Sequence, residues 1–105
     1  MDTVFKALAD PTRRTILDEL NQRDSQTLFE ICSRLATKHQ LGMTRQAISQ
    51  HLVALESAGL VQTRRDGRYK LHSINRQPLG QIADRWLAPT PRRPHEDPPR
   101  QRLRR

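Results

Sequence analysis

Several residue types are scarce in this chain, and each scarcity excludes a class of protein. The single cysteine, Cys32, excludes an internal disulfide framework or a cysteine-rich metal cluster. With 34% hydrophobic and 4% aromatic residues among 105, one chain has only a thin core, which favours a partner chain. No apolar run approaches the roughly 18 residues of a membrane-spanning helix, and Met1-Asp2-Thr3-Val4 does not resemble a secretion signal. We expect a cytoplasmic protein in which Cys32 is a core residue, with a redox role as the alternative.

Acidic residues are also scarce, numbering 11 against 19 Lys and Arg, which gives a net charge of +8. Half of this excess lies at 89–105, where six arginines and five prolines accompany hardly any apolar group. We predict a folded domain at 1–88 and a disordered basic tail at 89–105. A basic surface favours a polyanion, of which duplex DNA is the densest, although charge alone does not exclude RNA, a membrane surface or an acidic protein.

Apolar residues at helical spacing predict four helices before residue 60. Asp10-Pro11 predicts the start of the second helix, which should run to about Asn21. Thr27 and Glu30 have the spacing of a capping box for the third helix. Thr44 predicts the start of the fourth helix, whose apolar residues face inward, and Gly59 its end. The inward-facing residues of the fourth helix are Ile48, Leu52 and Leu55.

Two short strands and a last helix complete the pattern. Asp66-Gly67 predicts a tight hairpin between strands at about 60–64 and 68–73. Asn75 is a candidate cap for the last helix, and Pro89 should end it. The predicted fold is mainly α with a small β-hairpin, in the order α-α-α-α-β-β-α, which describes a winged helix-turn-helix.

Four segments of the chain resemble the ArsR/SmtB family of bacterial repressors. They are residues 8–17 (LADPTRRTIL), 47–52 (AISQHL), 55–61 (LESAGLV) and 65–69 (RDGRY), in the order of the family. The resemblance covers roughly residues 3 to 87. It implies a dimer joined through the first and last helices, a fourth helix that reads DNA and a hairpin that acts as a wing.

The chain departs from the family pattern at the metal sites. The family's Cys-x-Cys on the third helix corresponds here to Cys32-Ser33-Arg34, which lacks the second thiol. The last helix offers Asp84 and no histidine for the family's other site. We therefore predict no metal site and no cofactor. A second departure is length, because 37–43 is longer than the usual turn before the reading helix.

The candidate DNA contacts lie on the fourth helix and the hairpin. Opposite the apolar stripe, the fourth helix presents side chains that can pair with base edges, and we predict base reading by Arg45, Gln46, Ser49 and Gln50. Four cations around one turn predict backbone or minor-groove contacts by Arg64, Arg65, Arg68 and Lys70. Thr44 and His51 could contact the DNA backbone or be structural. For Arg13 and Arg14 we favour ion pairs with Asp10, Asp18 or Glu19 over DNA contact.

Apolar residues at the two ends of the domain predict the dimer interface. A chain this short has little core for a terminal helix that carries a tryptophan, so we expect these residues to face a second chain. They are Val4, Phe5, Leu8, Leu79, Ile82, Ala83, Trp86 and Leu87.

The pattern as a whole predicts a sequence-specific transcriptional regulator, a repressor that binds double-stranded DNA as a homodimer at an imperfect palindrome. The alternatives are a winged-helix module that docks on protein and a nucleic-acid-binding structural protein without sequence preference. No phosphate-binding loop or nucleophile–base pair indicates an enzyme. No residue set identifies an effector.

Overall fold

The computed structural model describes residues 1–87 and has the predicted order of elements. Five helices and one hairpin follow one another along the chain. They are α1 (Asp2–Leu8), α2 (Pro11–Gln22), α3 (Leu28–Lys38), α4 (Arg45–Ser57), β1 (Val61–Asp66), β2 (Tyr69–Ile74) and α5 (Gln77–Trp86). The predicted tail at 89–105 and its Pro89 lie outside the described residues. Within 1–87, no helix is both long enough and apolar enough to cross a membrane.

Side-chain caps fix the starts of three helices, as the sequence predicted. Asp10 Oδ1 accepts hydrogen bonds from the backbone N–H groups of Thr12 (2.8 Å) and Arg13 (3.2 Å). Thr27 and Glu30 form a reciprocal capping box at α3, and Thr44 Oγ1 accepts from the Ala47 N–H at 3.1 Å. Each cap satisfies backbone donors that have no partner inside the helix.

The core is built from one apolar stripe on each of the first four helices and the start of the hairpin. The side chains of α4 that were predicted to face inward are all buried. Phe29 of α3 is 64% exposed although it belongs to the apolar pattern of that helix. Ile31 and Leu35 fill the core from α3 instead. The fully buried large apolar residues are Ile16, Leu20, Ile31, Leu35, Ile48, Leu55, Leu60 and Val61.

The hairpin is longer and shifted relative to the predicted strands, with its tight turn at the predicted dipeptide. Val61 pairs with Ile74 and Asp66 with Tyr69 in an antiparallel register. Gly67 has φ of 61°, a left-handed conformation that favours glycine at this turn. The hairpin therefore extends as a ribbon beyond the helical core.

The fifth helix starts later than the cap prediction implied. Arg76 occupies the N-cap position and makes no side-chain cap hydrogen bond, while Asn75 Oδ1 accepts from the Gln77 N–H at 3.2 Å. Leu87, predicted within this helix, is its C-cap residue. No residue of α5 is buried, so its apolar side chains remain available to a partner.

Candidate nucleic-acid interface

Helix α4 has one buried face and one solvent-facing edge. Ile48, Leu52 and Leu55 anchor the buried face, at 1%, 3% and 0% exposure. On the opposite side, Arg45, Gln46 and Gln50 are exposed and Ser49 is half-buried. These side chains present guanidinium, amide and hydroxyl groups from consecutive turns of one helix, which matches the size and chemistry of a major groove.

The two residues assigned either to the DNA backbone or to structure make contacts within the chain. Thr44 is the N-cap of α4. His51 Nδ1 accepts a hydrogen bond from Arg13 Nε at 3.2 Å, which ties α4 to the start of α2. The ion pairs favoured for Arg13 and Arg14 are not formed, because Arg13 binds His51 and Arg14 donates to the Leu8 carbonyl at 2.7 Å. An arginine near a helix start can thus serve neighbouring acceptors other than carboxylates.

The start of α2 is nevertheless electrostatically favourable. Burial acts to raise the pKa of Asp10, but hydrogen bonds from the Arg13 and Thr12 N–H groups outweigh it, so the pKa lies below its usual value. The carboxylate at the N-cap therefore stays ionised and complements the positive end of the helix dipole. This fixes the N-terminal turn that holds Arg13 against His51.

The hairpin concentrates positive charge at its tip. Arg64, Arg65, Arg68 and Lys70 are all exposed, and the register places Arg65 directly opposite Lys70. Like charges at directly opposed positions destabilise an antiparallel pair. The arrangement is thus most favourable when an anion lies against it.

A single-residue β-bridge anchors the hairpin to the helical core. Gln26 and His72 form an isolated antiparallel bridge, in which the Gln26 N–H donates to the His72 carbonyl at 2.9 Å and the His72 N–H donates back at 2.7 Å. The Nδ1–H of His72 also donates to the Gln26 carbonyl, at 3.0 Å. Burial lowers the pKa of His72 and outweighs the opposing effect of this bond, so the ring is neutral near pH 7.

The bridge residue Gln26 is in turn hydrogen-bonded to a buried carboxylate, that of Glu19. Gln26 Nε2 donates to Glu19 Oε2 at 2.9 Å, and Arg34 Nε donates to the same oxygen. Lys38 Nζ lies 3.5 Å from Glu19 Oε1. Burial alone would raise the pKa of Glu19, but the bonds from Gln26 and Arg34 and the nearby cations outweigh it and lower that pKa. One ionised carboxylate thus joins α2, α3 and the segment that carries the wing.

Apolar side chains of α1 and α5 form a separate surface. Phe5 and Trp86 are 40% and 56% exposed, and their ring centroids lie 6.0 Å apart. Leu87 is exposed, while Leu8, Leu79, Ile82 and Ala83 are half-buried. Val4 differs from the prediction, because its side chain is buried within the chain's own core and has almost no surface to offer a partner.

Cys32 lies half-buried on α3, not fully within the core as expected. Burial raises the pKa of its thiol, which the nearby Arg45 guanidinium only partly offsets. The thiol is therefore protonated at neutral pH, a poorly nucleophilic state. Within residues 1–87, no three His, Cys, Asp or Glu side chains are placed together to hold a metal ion.

The geometry agrees with comparisons to known proteins. A family described as "Helix-turn-helix domain" matches residues 8–64. An ArsR-like transcriptional regulator from Rhodococcus sp. RHA1 is 39% identical, covers 80% of this chain and 71% of its own, and superposes with a TM-score of 0.66. The chain belongs to the ArsR family of winged helix-turn-helix transcriptional regulators.

Further relatives each cover more than four fifths of this chain. The HTH-type transcriptional regulator YuzN of Bacillus subtilis is 50% identical over 82% of this chain and 94% of its own length. The transcriptional repressor SdpR of the same organism is 34% identical over 83% and 88%. A solution structure of Mb0332 from Mycobacterium bovis, described as a homodimeric winged helix-turn-helix DNA-binding domain, is 29% identical over 88% and 85%, with a TM-score of 0.62.

Sequence reasoning missed two features of this regulator's candidate interface. Phe29 and Tyr69 are exposed beside α4 and the wing, and neither was assigned a role. The contact of Gln26 with Glu19, which supports the wing, was also missed. The signal for Glu19 was present, because it follows Ile16 by three positions and so falls on the apolar stripe of α2, which indicates a buried, partnered charge.

Proposed function

We propose that this ArsR-family regulator is a sequence-specific repressor that binds operator DNA as a homodimer. The observation that carries the proposal is the polar outer edge of α4, formed by Arg45, Gln46, Ser49 and Gln50 opposite a fully buried apolar stripe. A helix with this division is held rigidly by the core while its outer side chains stay free to contact bases. Base reading by all four residues is part of the proposal.

The chemistry of this edge suits direct readout. Arginine pairs bidentately with guanine, glutamine pairs bidentately with adenine, and a serine hydroxyl can bind a base or a phosphate. Arg45 lies in the first turn of α4, where recognition helices usually contact bases. Apart from Val53, this edge exposes no apolar anchor of the kind that a protein-docking helix requires.

The wing supplies contacts that do not depend on base sequence. Arg64, Arg65, Arg68 and Lys70 are assigned to phosphates or to the minor groove next to the one that α4 enters. The opposed pair of Arg65 and Lys70 supports this assignment, because an anion would relieve their repulsion. Each phosphate neutralised should steepen the dependence of log K on log salt by about 0.9.

Dimerisation through α1 and α5 is supported by the exposed apolar surface that they share. Phe5, Trp86 and Leu87 form its exposed part, with Leu79 and Ile82 at its base, and the similar protein Mb0332 is described as homodimeric. Two-fold symmetry would place the two α4 helices about one DNA turn apart, so that the operator is an imperfect palindrome. The protein would act in the cytoplasm and without catalysis. Repression is inferred from the similarity to SdpR.

The test begins with a selection of bound sequences from random duplexes. The expected result is a two-fold motif with half-sites about one turn apart. A Gln46→Ala, Gln50→Ala double variant should then lose about 30-fold or more in operator affinity, at about 1–3 kcal/mol for each bidentate pair, and retain its affinity for random DNA.

The matched control is a Gln77→Ala, Gln81→Ala double variant, which removes two exposed glutamines from α5. It should bind the operator like the wild type. Equal losses on operator and random duplexes would reject base reading by α4. Selection without any enriched motif would indicate a structural nucleic-acid-binding protein instead, and failure to bind any duplex would overturn the proposal.

A further inference from the structure

A recess lies between the start of α3, the middle of α4 and the tip of the wing. Its volume is about 290 Å³. It separates the two elements assigned to DNA, because Ser49 and Leu52 of α4 form one wall and the wing forms the other. The lining side chains that matter here are Phe29, Ser49, Arg68, Tyr69 and Lys70.

The lining combines positive charge with exposed aromatic rings. Arg68 and Lys70 are cationic, and no acidic side chain of residues 1–87 lines the recess. The rings of Phe29 and Tyr69 are 64% and 56% exposed. Two large rings that face the same solvent-filled space form an apolar surface beside two cations, which is an unusual combination for a face that meets only water.

An arginine guanidinium group also lies over each of the two rings. The Arg68 guanidinium carbon lies 5.9 Å from the centroid of the Tyr69 ring, and that of Arg45 lies 5.9 Å from the centroid of Phe29. Cation–π contacts of this kind restrict the cation to a position over the ring face. One cation of the recess lining, Arg68, therefore lies over an aromatic ring of the same lining.

We propose that this recess binds the deoxyribose–phosphate strand that separates the two grooves. The inference rests on the proposed function, because it takes α4 in the major groove and the wing in the adjacent minor groove. Neighbouring grooves of a duplex are always divided by one strand, and that strand must then cross the space between α4 and the wing. Its phosphates match Arg68 and Lys70, while the faces of its sugars match the two rings.

The experiment uses the full chain and the operator recovered from the random-duplex selection. Phe29→Ala and Tyr69→Ala each remove one ring, and the exposure of both rings means that neither change opens a cavity in the core. Each variant should lose about fivefold in affinity through lost apolar contact. The loss in Tyr69→Ala should be equal for operator and random duplexes, because sugars carry no base sequence, whereas Phe29→Ala also frees the base-reading Arg45 and should lose more on the operator. Tyr69→Phe keeps the ring and should retain most of the affinity.

Two further readouts separate this site from a general structural defect. Hydroxyl-radical footprinting, which reports the exposure of deoxyribose, should show that the wild type protects a few sugars between the major-groove and minor-groove contacts. Phe29→Ala and Tyr69→Ala should lose that protection. The salt slope should stay unchanged in both, since neither residue is charged, whereas Lys70→Ala should reduce it by about 0.9.

The outcomes distinguish this inference from the proposed function. Wild-type affinity in both alanine variants, or a loss in Tyr69→Ala that is confined to the operator, would overturn the strand site while leaving the repressor intact. Unchanged sugar protection in the variants would do the same. Preferential binding of an acidic peptide at the recess, with no effect of either variant on DNA affinity, would assign the recess to a protein partner. A wild-type protein that binds no duplex would overturn both proposals.

Discussion

Replacing Glu19 by glutamine tests the buried anchor beneath the wing. The wild-type side chain is fully buried and accepts hydrogen bonds from Gln26 and Arg34. Glutamine has nearly the same shape but no charge, so the change isolates the electrostatic part of the contact. We expect a loss of stability without loss of fold.

The magnitude follows from the two bonds and from the exposure of the cations beside Glu19. Hydrogen bonds to charged groups contribute about 1.5–3 kcal/mol each. Arg34 and Lys38 are 28% and 40% exposed, so water would solvate them once the charge is gone. We therefore expect a loss of about 2 kcal/mol, less than the sum, and a fall in melting temperature of about 8–16 °C.

The pH dependence gives the sharper criterion. The pKa of Glu19 in the folded protein lies below its ordinary value of 4.5. The stabilisation that it contributes is thus fully present above pH 4.5 and is lost as the pH falls through the lower folded value. The difference in unfolding free energy between wild type and Glu19→Gln should shrink on acidification below pH 4.5.

Urea unfolding followed by circular dichroism measures this difference, at one fixed protein concentration because association would add to the apparent stability. Asp24→Asn is the matched control, since it neutralises an exposed acid just after α2 and should change stability by less than about 0.5 kcal/mol. A Glu19→Gln effect below that size, or a difference that does not change with pH, would refute the account of the anchor.

Three further predictions concern the wing, the dimer and His72. Arg65→Ala with Lys70→Ala should flatten the slope of log K against log salt by about 1.8 while stabilising the free protein slightly, and an unchanged slope in binding titrations would remove both side chains from the DNA contact. Trp86→Ala should weaken dimerisation by about 2 kcal/mol or more, roughly 30-fold in the dissociation constant measured by sedimentation, and unchanged association would place the interface elsewhere. The lowered pKa of His72 means that its contribution to stability is present above pH 6.5 and lost as the pH falls below it; melting curves should show this loss in the wild type but not in His72→Gln.

Local signals were sufficient to predict most of the secondary structure. Asp10-Pro11, the Thr27–Glu30 box, Thr44 and Asp66-Gly67 each act on backbone groups within a few residues, so their effect can be predicted without the tertiary fold. The helical spacing of its apolar residues predicted which side chains of α4 are buried, and therefore also which side chains form its exposed edge. The candidate site was predictable to the extent that it lies on single elements.

Contacts between distant segments could not be predicted in this way. The Gln26–His72 bridge joins residues that are 46 positions apart. Because only one residue of this segment pairs with the hairpin, the sequence around Gln26 shows no alternating strand pattern from which the bridge could be predicted. The Arg13–His51 bond spans 38 positions and replaced the expected ion pairs for the same reason. Phe29 fits the apolar pattern of α3, and only the packing of α3 against α4 and the wing places it at the surface.

Hydrogen bonds of two neighbouring arginines hold α1, α2 and α4 in fixed relative positions. Arg13 fastens α4 to α2, and Arg14 fastens α2 to the end of α1 through the Leu8 carbonyl. In the proposed dimer the helix at the symmetry axis and the helix in the groove are then parts of one stiff body, so the separation of the two reading helices is set before DNA arrives. One base pair inserted between the half-sites would move the second by about 3.4 Å and turn it by about 35°. A body of this kind could follow such a change only by giving up contacts at one of the two half-sites.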